Sequence, residues 1–321
     1  MKRQLAQNII LIFTSILILG FAGEIFLRFI EPQKSKFEFI VSAPGTKRLY
    51  EFSPYSSGKL LGHDVSINSN GIRDREFEIH KPSNTFRIIG LGDSITMAAG
   101  LDLEESYLKK LEFLLNKRNE IMKYEVINFG VWGYNTEQEV DLFEAKGVVY
   151  RPDLVLVGFF PNDARPAAPL DSQNVSFLHK FIYRSYFLSF LAPRIAVIAR
   201  RLHIPLKTYS SVIINDYSDE SSGWYRCKNA LRRLKTLSIQ HKFKLVVIMI
   251  PMPANLNSKY TFMECHQKVK YFCLEENITY WDALIAFQNQ NNSNLWVSML
   301  DAHYNSTAHD ILANFIYKKL N

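Results

Sequence analysis

The stretch RIIGLGDSIT, Arg87 to Thr96, runs an apolar segment into Gly-Asp-Ser. A buried strand would continue apolar, and an ordinary surface turn rarely needs glycines at both Gly90 and Gly92 with an acid and a hydroxyl behind them. A strand that ends by presenting a serine is a candidate for chemistry if partners for that serine stand elsewhere in the chain. On either side of it the pattern is strand, loop, helix. FRIIGL has the length of a buried strand, and EESYLKKLEFLLNKR has apolar residues at helical spacing. YEVINFG is a second strand. The helix after it opens on a capping box at Thr136-Glu137-Gln138-Glu139 and stops near Gly147. DLVLVGFF is a third strand without alternation, as expected where helices cover both faces of a parallel sheet.

The rhythm breaks over residues 164–222, an insertion rich in aromatics and arginine. It resumes with the helix WYRCKNALRRLKTLSIQHK, the strand KLVVIMIP, a helix from about Lys259 to Glu275, a short strand ITYWDA and a terminal helix from about Ser306. Alternating elements of these lengths predict a three-layer α/β/α fold with a parallel, flavodoxin-like sheet. The expected division is an amino-terminal membrane segment at 1–31, an irregular, short-stranded lead-in at 32–84, and the α/β body at 85–321 carrying the insertion. No internal repeat is visible.

The amino terminus places Lys2 and Arg3 before an apolar run that continues past Glu24 as IFLRFI. Leu5 to Gly23 is about long enough to cross a bilayer core at roughly 1.5 Å per residue. The early positive charges favour a cytoplasmic amino terminus and an extracytoplasmic body. The rival is a cleaved signal peptide, with small residues at Gly20-Phe21-Ala22. We carry the uncleaved anchor forward, because the apolar character persists beyond that site. The body is extracytoplasmic on either reading, either periplasmic or at the cell surface.

The chain has 321 residues, 47% of them hydrophobic, and a net charge of +7. Lys and Arg are spread along it with no block resembling a nucleic-acid arm, so no nucleic-acid partner is expected. Cys227, Cys265 and Cys273 show no metal-binding spacing. Cys265 and Cys273 lie too far apart on one predicted helix to be bridged, and a pair involving Cys227 stays open.

In an open parallel sheet, ligands gather beyond the carboxyl ends of the strands. Gly92-Asp93-Ser94 follows the first strand, NFGVWGYNT (128–136) the second and GFFPND (158–163) the third. DAHYNSTAH precedes the last helix. Four polar clusters should therefore meet at one edge of the sheet.

Taken in this order, GDSIT, NFGVWGYNT, GFFPND and DAHYN resemble the blocks of the SGNH, or GDSL, hydrolase superfamily. NSNGIRDREF followed by FRIIGLGDSIT, behind a membrane segment, is similar to its anchored bacterial members. The resemblance covers roughly residues 65–163 and 224–320. It implies a serine esterase working through an acyl-enzyme, with no cofactor and no metal. Ser94 would be the nucleophile, His303 the base and Asp301 the carboxylate that orients the imidazole. The oxyanion hole would comprise the N–H of Ser94, the N–H of Gly133 and the side-chain amide of Asn162. The substrate would be an O-acyl ester, for instance O-acetyl, on an envelope glycan or a lipid. An O-acyltransferase would use the same site, and a non-catalytic envelope protein could keep the shell as a binding surface.

The chemistry independently calls for these residue types. A serine hydroxyl is a poor nucleophile until a base takes its proton, and the base needs an anion to fix its tautomer. Residues i and i+2 of an extended loop point the same way, so Asp301 and His303 can address one site. A position just before a helix disfavours the imidazolium and helps His303 stay neutral. Gly130 is a second possible oxyanion donor. Two features depart from the family pattern: Asp-x-His stands where Asp-x-x-His is common, and GFFPND is bulkier than a short Gly-x-Asn-Asp.

Singly, each residue has a plainer reading: Ser94 as a helix cap, Asn162-Asp163 as a turn, His309 as a helix-surface residue. Rival motifs fail on spacing. GLGDSI has Ile95 where a dinucleotide fingerprint needs its third glycine, and Thr96 replaces the last glycine of a Gly-x-Ser-x-Gly elbow. Asp93, Asp163, Asp301 and His303 have no spacing that favours a metal. For the insertion, which carries Lys180, Arg184, Arg194, Arg200 and Arg201, two readings stand. One is a cap packed on the body with its cations outward. The other is a membrane-surface helix forming an apolar lid.

Overall fold

The computed structural model describes residues 2–30, 38–118, 121–168, 185–201, 208–256, 259–288, 290–298 and 301–321. Lys180 and Arg184 fall outside them. The lead-in forms two antiparallel hairpins, β1 (Ile40–Ala43) with β2 (Leu49–Phe52) and β3 (Ser57–Leu60) with β4 (His63–Ser66). Phe39, Tyr50, Phe52, Leu60 and Val65 are buried, so this segment supplies core rather than a tether.

The main sheet has five strands: β5 (Thr85–Gly92), β6 (Lys123–Gly130), β7 (Leu154–Phe159), β8 (Lys244–Met249) and β9 (Thr279–Asp282). All pairings are parallel, in the order β6-β5-β7-β8-β9. This is the flavodoxin-like order 2-1-3-4-5, whose switch point lies beside the first strand, and ligands in such sheets bind at that crevice. Every residue of β7 is buried, as its unbroken apolar run predicted. Each fully buried aliphatic side chain here is worth about 1.5–3 kcal/mol. Arg87 lies in register with Glu125, and the two make a buried ion pair at 2.7 Å.

In chain order the helices are α1 (Lys2–Ile30), α2 (Ser94–Met97), α3 (Tyr107–Arg118), α4 (Thr136–Leu142), α5 (Tyr186–Arg201) and α6 (Tyr209–Asn215). They continue with α7 (Ser222–His241), α8 (Met263–Glu275), α9 (Leu284–Phe287) and α10 (Ser306–Leu320). Two packed pairs, α3 with α10 and α4 with α7, flank the sheet. The start of α4 differs from expectation. Its N-cap is Asn135, which accepts from the Gln138 N–H at 3.0 Å, while Gln138 Oε1 accepts from the Asn135 N–H at 3.2 Å. The shorter Asn side chain, with extended backbone just outside the helix, takes the role assigned to Thr136. α4 also ends early, at Leu142, passing into a wider turn at Phe143–Gly147.

Glycines explain how the serine reaches the rim. Gly92, Gly130 and Gly158 lie side by side in register on three adjacent strands. A Cβ on Gly130 would sit 2.2 Å from the Met97 nitrogen, and one on Gly92 would sit 2.0 Å from Thr96 Oγ1. The short helix α2 is seated directly on this glycine layer, which no side chain can enter.

The chain divides into two compact units. One comprises Met1–Gln33, Asn174–Thr208 and Ser298–Asp301, and holds α1 and α5. The other comprises Lys34–Gln173, Tyr209–Val297 and Ala302–Asn321, and holds the sheet. The insertion is thereby shared. Its described later part belongs with the sheet, where the Tyr217 hydroxyl donates to the Pro161 carbonyl at 2.9 Å and Arg165 pairs with Asp216 at 3.2 Å. Its helix α5 packs on α1. In α1, the 24 residues Gln7–Ile30 are long and apolar enough to cross a membrane.

Candidate active site

After Gly92 the chain turns at Asp93, whose Oδ1 accepts from the Ile95 N–H at 2.9 Å and caps α2. Ser94 is therefore the first residue of a four-residue helix and is 7% exposed. So short a helix leaves its carbonyls to outside partners. The buried Arg73 supplies them, donating to Met97 O at 2.7 Å, Ala98 O at 2.9 Å and Leu101 O at 2.7 Å. Asn128 Nδ2 donates to Thr96 O at 2.9 Å, and the Thr96 and Tyr107 hydroxyls are 3.1 Å apart. The serine turn is held from three directions.

His303 Nε2 lies 2.9 Å from Ser94 Oγ, across 209 positions of sequence. Its backbone is fixed by Val297 N–H donating to His303 O at 2.9 Å and by the Trp296–Tyr304 bridge. The Tyr304 hydroxyl donates to the Pro251 carbonyl. The Trp132 ring, from the second block, packs on the imidazole with centroids 4.8 Å apart and planes tilted by 36°.

Within that block the N–H of Gly130 is committed to Asn128 Oδ1 at 2.8 Å, which removes it as an oxyanion donor. Gly133 adopts φ +72°, a conformation costly for other residues. The lead-in braces this loop: the Tyr50 hydroxyl donates to Trp132 O at 2.8 Å, and Tyr134 donates to Tyr50 O. Asn162 stands in a short turn, Pro161–Ala164, beyond β7, with its amide beside the Asp93 carboxyl. Asp301 is half-buried two residues before His303, and its backbone exchanges hydrogen bonds with Ser298 at 3.2 and 3.4 Å.

Three buried carboxyls, Asp93, Glu139 and Asp163, interact electrostatically. Burial pushes Asp93 up to about 6, against the opposing pull of the Ile95 N–H, His303 and Asn162. Burial, together with repulsion from Asp93, raises Glu139 well above the carboxylate range. Asp163 is raised in the same way, with Glu139 adding to the repulsion. Both Glu139 oxygens are buried without a hydrogen-bond partner, a state that a charged carboxylate would not tolerate.

His309 is not on the helix surface as expected. It is buried, its Nδ1 accepts from the Tyr107 N–H at 3.0 Å, and burial brings its pKa down to about 3. It faces the core because α10 packs on α3. All three cysteines are free and buried, which closes the question of Cys227. Among the described residues no group of three or more His, Cys, Asp or Glu is arranged to hold a metal ion.

Sequence reasoning did not find Tyr50, Arg73, Trp132 or Glu139 as parts of the site. Arg73 and Trp132 stood inside the quoted blocks NSNGIRDREF and NFGVWGYNT, but nothing local marks a partner many residues away.

No known family's model matches the chain, and no curated protein matches it. Among solved structures it is similar to a putative lipolytic protein of the G-D-S-L family from Desulfitobacterium hafniense DCB-2. That match has 12% identity and a TM-score of 0.43, covering 72% of this chain and 98% of that one. It is similar to TesA at 14% identity and a TM-score of 0.47, covering 73% and 98%. It is also similar to Axe2, an acetylxylan esterase from Geobacillus stearothermophilus, at 16% identity and a TM-score of 0.47, covering 74% and 94%. What those proteins act on is a property of those proteins.

Proposed function

We propose that the chain is a serine ester hydrolase that works through an acyl-enzyme. The observation that carries this reading is the 2.9 Å contact between Ser94 Oγ and His303 Nε2 at the carboxyl rim of the sheet. A hydroxyl held that close to an imidazole can pass its proton as it attacks. Ser94 Oγ adds to the ester carbonyl while His303 Nε2 takes the hydroxyl proton. The tetrahedral oxyanion is met by the N–H groups of Ser94 and Gly133 and by the Asn162 amide. His303 then protonates the leaving alcohol as the C–O bond breaks. Water, deprotonated by the same imidazole, releases the acid and restores Ser94. Asp301 is the orienting carboxylate of this scheme, by its place two residues before the base. No cofactor enters it.

The proposed substrate is an O-acyl ester, for instance O-acetyl, on an envelope glycan or lipid. We place α1 as an uncleaved, single-pass membrane anchor with the sheet-bearing unit outside the cytoplasm. Supporting this are the early Lys2 and Arg3 and the apolar stretch Gln7–Ile30. The test is turnover of p-nitrophenyl acetate and longer esters. Ser94→Ala and His303→Ala should each lose at least about 10³-fold, and rates equal to wild type in both would end the reading.

A further inference from the structure

A carboxylate inside an apolar, membrane-length helix is costly in lipid and needs local partners. α1 carries one, Glu24, and its partners are Arg28 one turn on, Ser185 just before α5, and the first two residues of α5. Glu24 Oε2 accepts from Ser185 Oγ at 2.7 Å and from the Phe187 N–H at 2.9 Å. Oε1 accepts from the Tyr186 N–H at 3.2 Å and from Arg28 Nε at 2.8 Å. The first N–H groups of any helix lack partners within it. Here a side chain of another helix provides them, while Ser185 Oγ accepts from the Leu188 N–H at 3.1 Å. Glu24 thus needs donors and α5 needs acceptors, and each meets the other's need.

Shape agrees with charge. The Phe187 ring lies where a Cβ on Gly23 would be, 2.6 Å from it, and touches the position of Gly20 at 3.6 Å. Small residues on a membrane helix let a neighbour approach closely. The Arg28 guanidinium covers the Tyr186 ring at 5.2 Å. Three hydrogen bonds to Glu24, the Phe187 ring against Gly20 and Gly23, and the Arg28–Tyr186 contact therefore fasten the start of α5 to the part of α1 that lies within its membrane-length stretch.

At 16 residues α5 is about 24 Å long, shorter than a bilayer core of roughly 30 Å, and it carries Arg194 in its interior. Such a helix lies along a membrane interface rather than crossing it. Phe187, Leu188, Phe190 and Leu191 are only half-buried, and Ile195 is 56% exposed. The Arg194 guanidinium stacks on the Phe190 ring at 3.6 Å and donates to the Phe190 carbonyl at 2.6 Å, and the residue stays exposed.

We infer that α5 is a second membrane contact: a helix lying in the interface of a phospholipid bilayer and locked to the anchor by Glu24. The exposed Arg194 would engage anionic headgroups. This inference rests on α1 being a membrane span. It assigns the helix of the insertion to the lipid, independently of whether Ser94 hydrolyses esters.

The test uses the full chain in bilayers of phosphatidylcholine and phosphatidylglycerol. Single cysteines replace Ile195 in α5, Leu17 in α1 and Tyr225 on the exposed face of α7, each carrying a fluorophore. The three native cysteines are buried and do not compete for it. Brominated lipid should quench the label at position 195 at least about threefold more than the label at 225, and aqueous iodide should do the reverse. Adding Glu24→Ala should weaken lipid quenching at 195 and leave position 17 unchanged. If 17 is quenched by lipid while 195 follows 225, α5 lies outside the bilayer and the inference falls alone. If 17 is not quenched by lipid, the anchor falls and the inference falls with it. Unchanged quenching at 195 with Glu24→Ala removes the lock.

Discussion

The Tyr50 hydroxyl donates to the Trp132 carbonyl at 2.8 Å, joining β2 of the lead-in to the loop that packs on His303. The lead-in thereby braces the loop that carries Gly133, the proposed oxyanion donor. Tyr50→Phe keeps the ring and removes one hydrogen bond, a loss of about 1 kcal/mol. kcat on p-nitrophenyl acetate should fall about fivefold with KM changing less than twofold. A change confined to KM would remove Tyr50 from the positioning of this loop.

Arg73 ties the carbonyls of Met97, Ala98 and Leu101 together behind the serine. Burial lowers its pKa only to about 10, so it is charged at neutral pH. Arg73→Met should destabilise the protein by on the order of 3 kcal/mol, because buried carbonyls lose their donors. Arg73→Lys should recover only part of that, since a point ammonium cannot reproduce the guanidinium fork. Denaturant titration of both variants is the check, and a fully restored midpoint in Arg73→Lys would contradict it.

Glu139 is raised from an ordinary value of 4.5 by burial and by Asp93. A raised folded-state pKa means its contribution is fully present below about pH 4.5 and is lost as pH rises through the folded value. Glu139→Gln, which holds no charge at any pH, should melt higher than wild type at pH 8 and no higher at pH 4. Parallel melting curves across that range would show that Glu139 is not held protonated.

His309 runs the other way. Its pKa drops from 6.5 to about 3, so its contribution is present above pH 6.5 and lost as pH falls toward 3. His309→Asn keeps an acceptor for the Tyr107 N–H without a titrating ring. The stability gap in favour of wild type at pH 7 should shrink by pH 4. Melting temperatures at both pH values decide it, and a constant gap would refute the assignment.

Local pattern revealed the fold because unbroken apolar strands and amphipathic helices advertise a covered parallel sheet, as β7 shows. Three of the polar blocks were legible for the same reason: each follows a strand, so topology brings them to one rim, while the fourth, DAHYN, was placed by the helix it precedes. The braces were not legible. The partners of Tyr50 and Arg73, and those of Glu24 at the start of α5, lie 24 or more residues away, and no spacing rule links a hydroxyl in a lead-in hairpin to a carbonyl after β6. His309 was misjudged because helix-surface statistics carry no knowledge of which neighbour covers the helix. The Asn135 cap was missed by one residue, a choice that depends on where the chain leaves extended backbone.

The central claim is that Ser94 is a nucleophile made reactive by His303. Its most direct measurement is labelling of the folded protein with a fluorophosphonate probe, read by peptide mass spectrometry. The expected result is one adduct, on Ser94, absent in Ser94→Ala and slowed at least about 10³-fold in His303→Ala. No adduct on a folded wild-type protein, or an adduct that persists unchanged in Ser94→Ala, would contradict it.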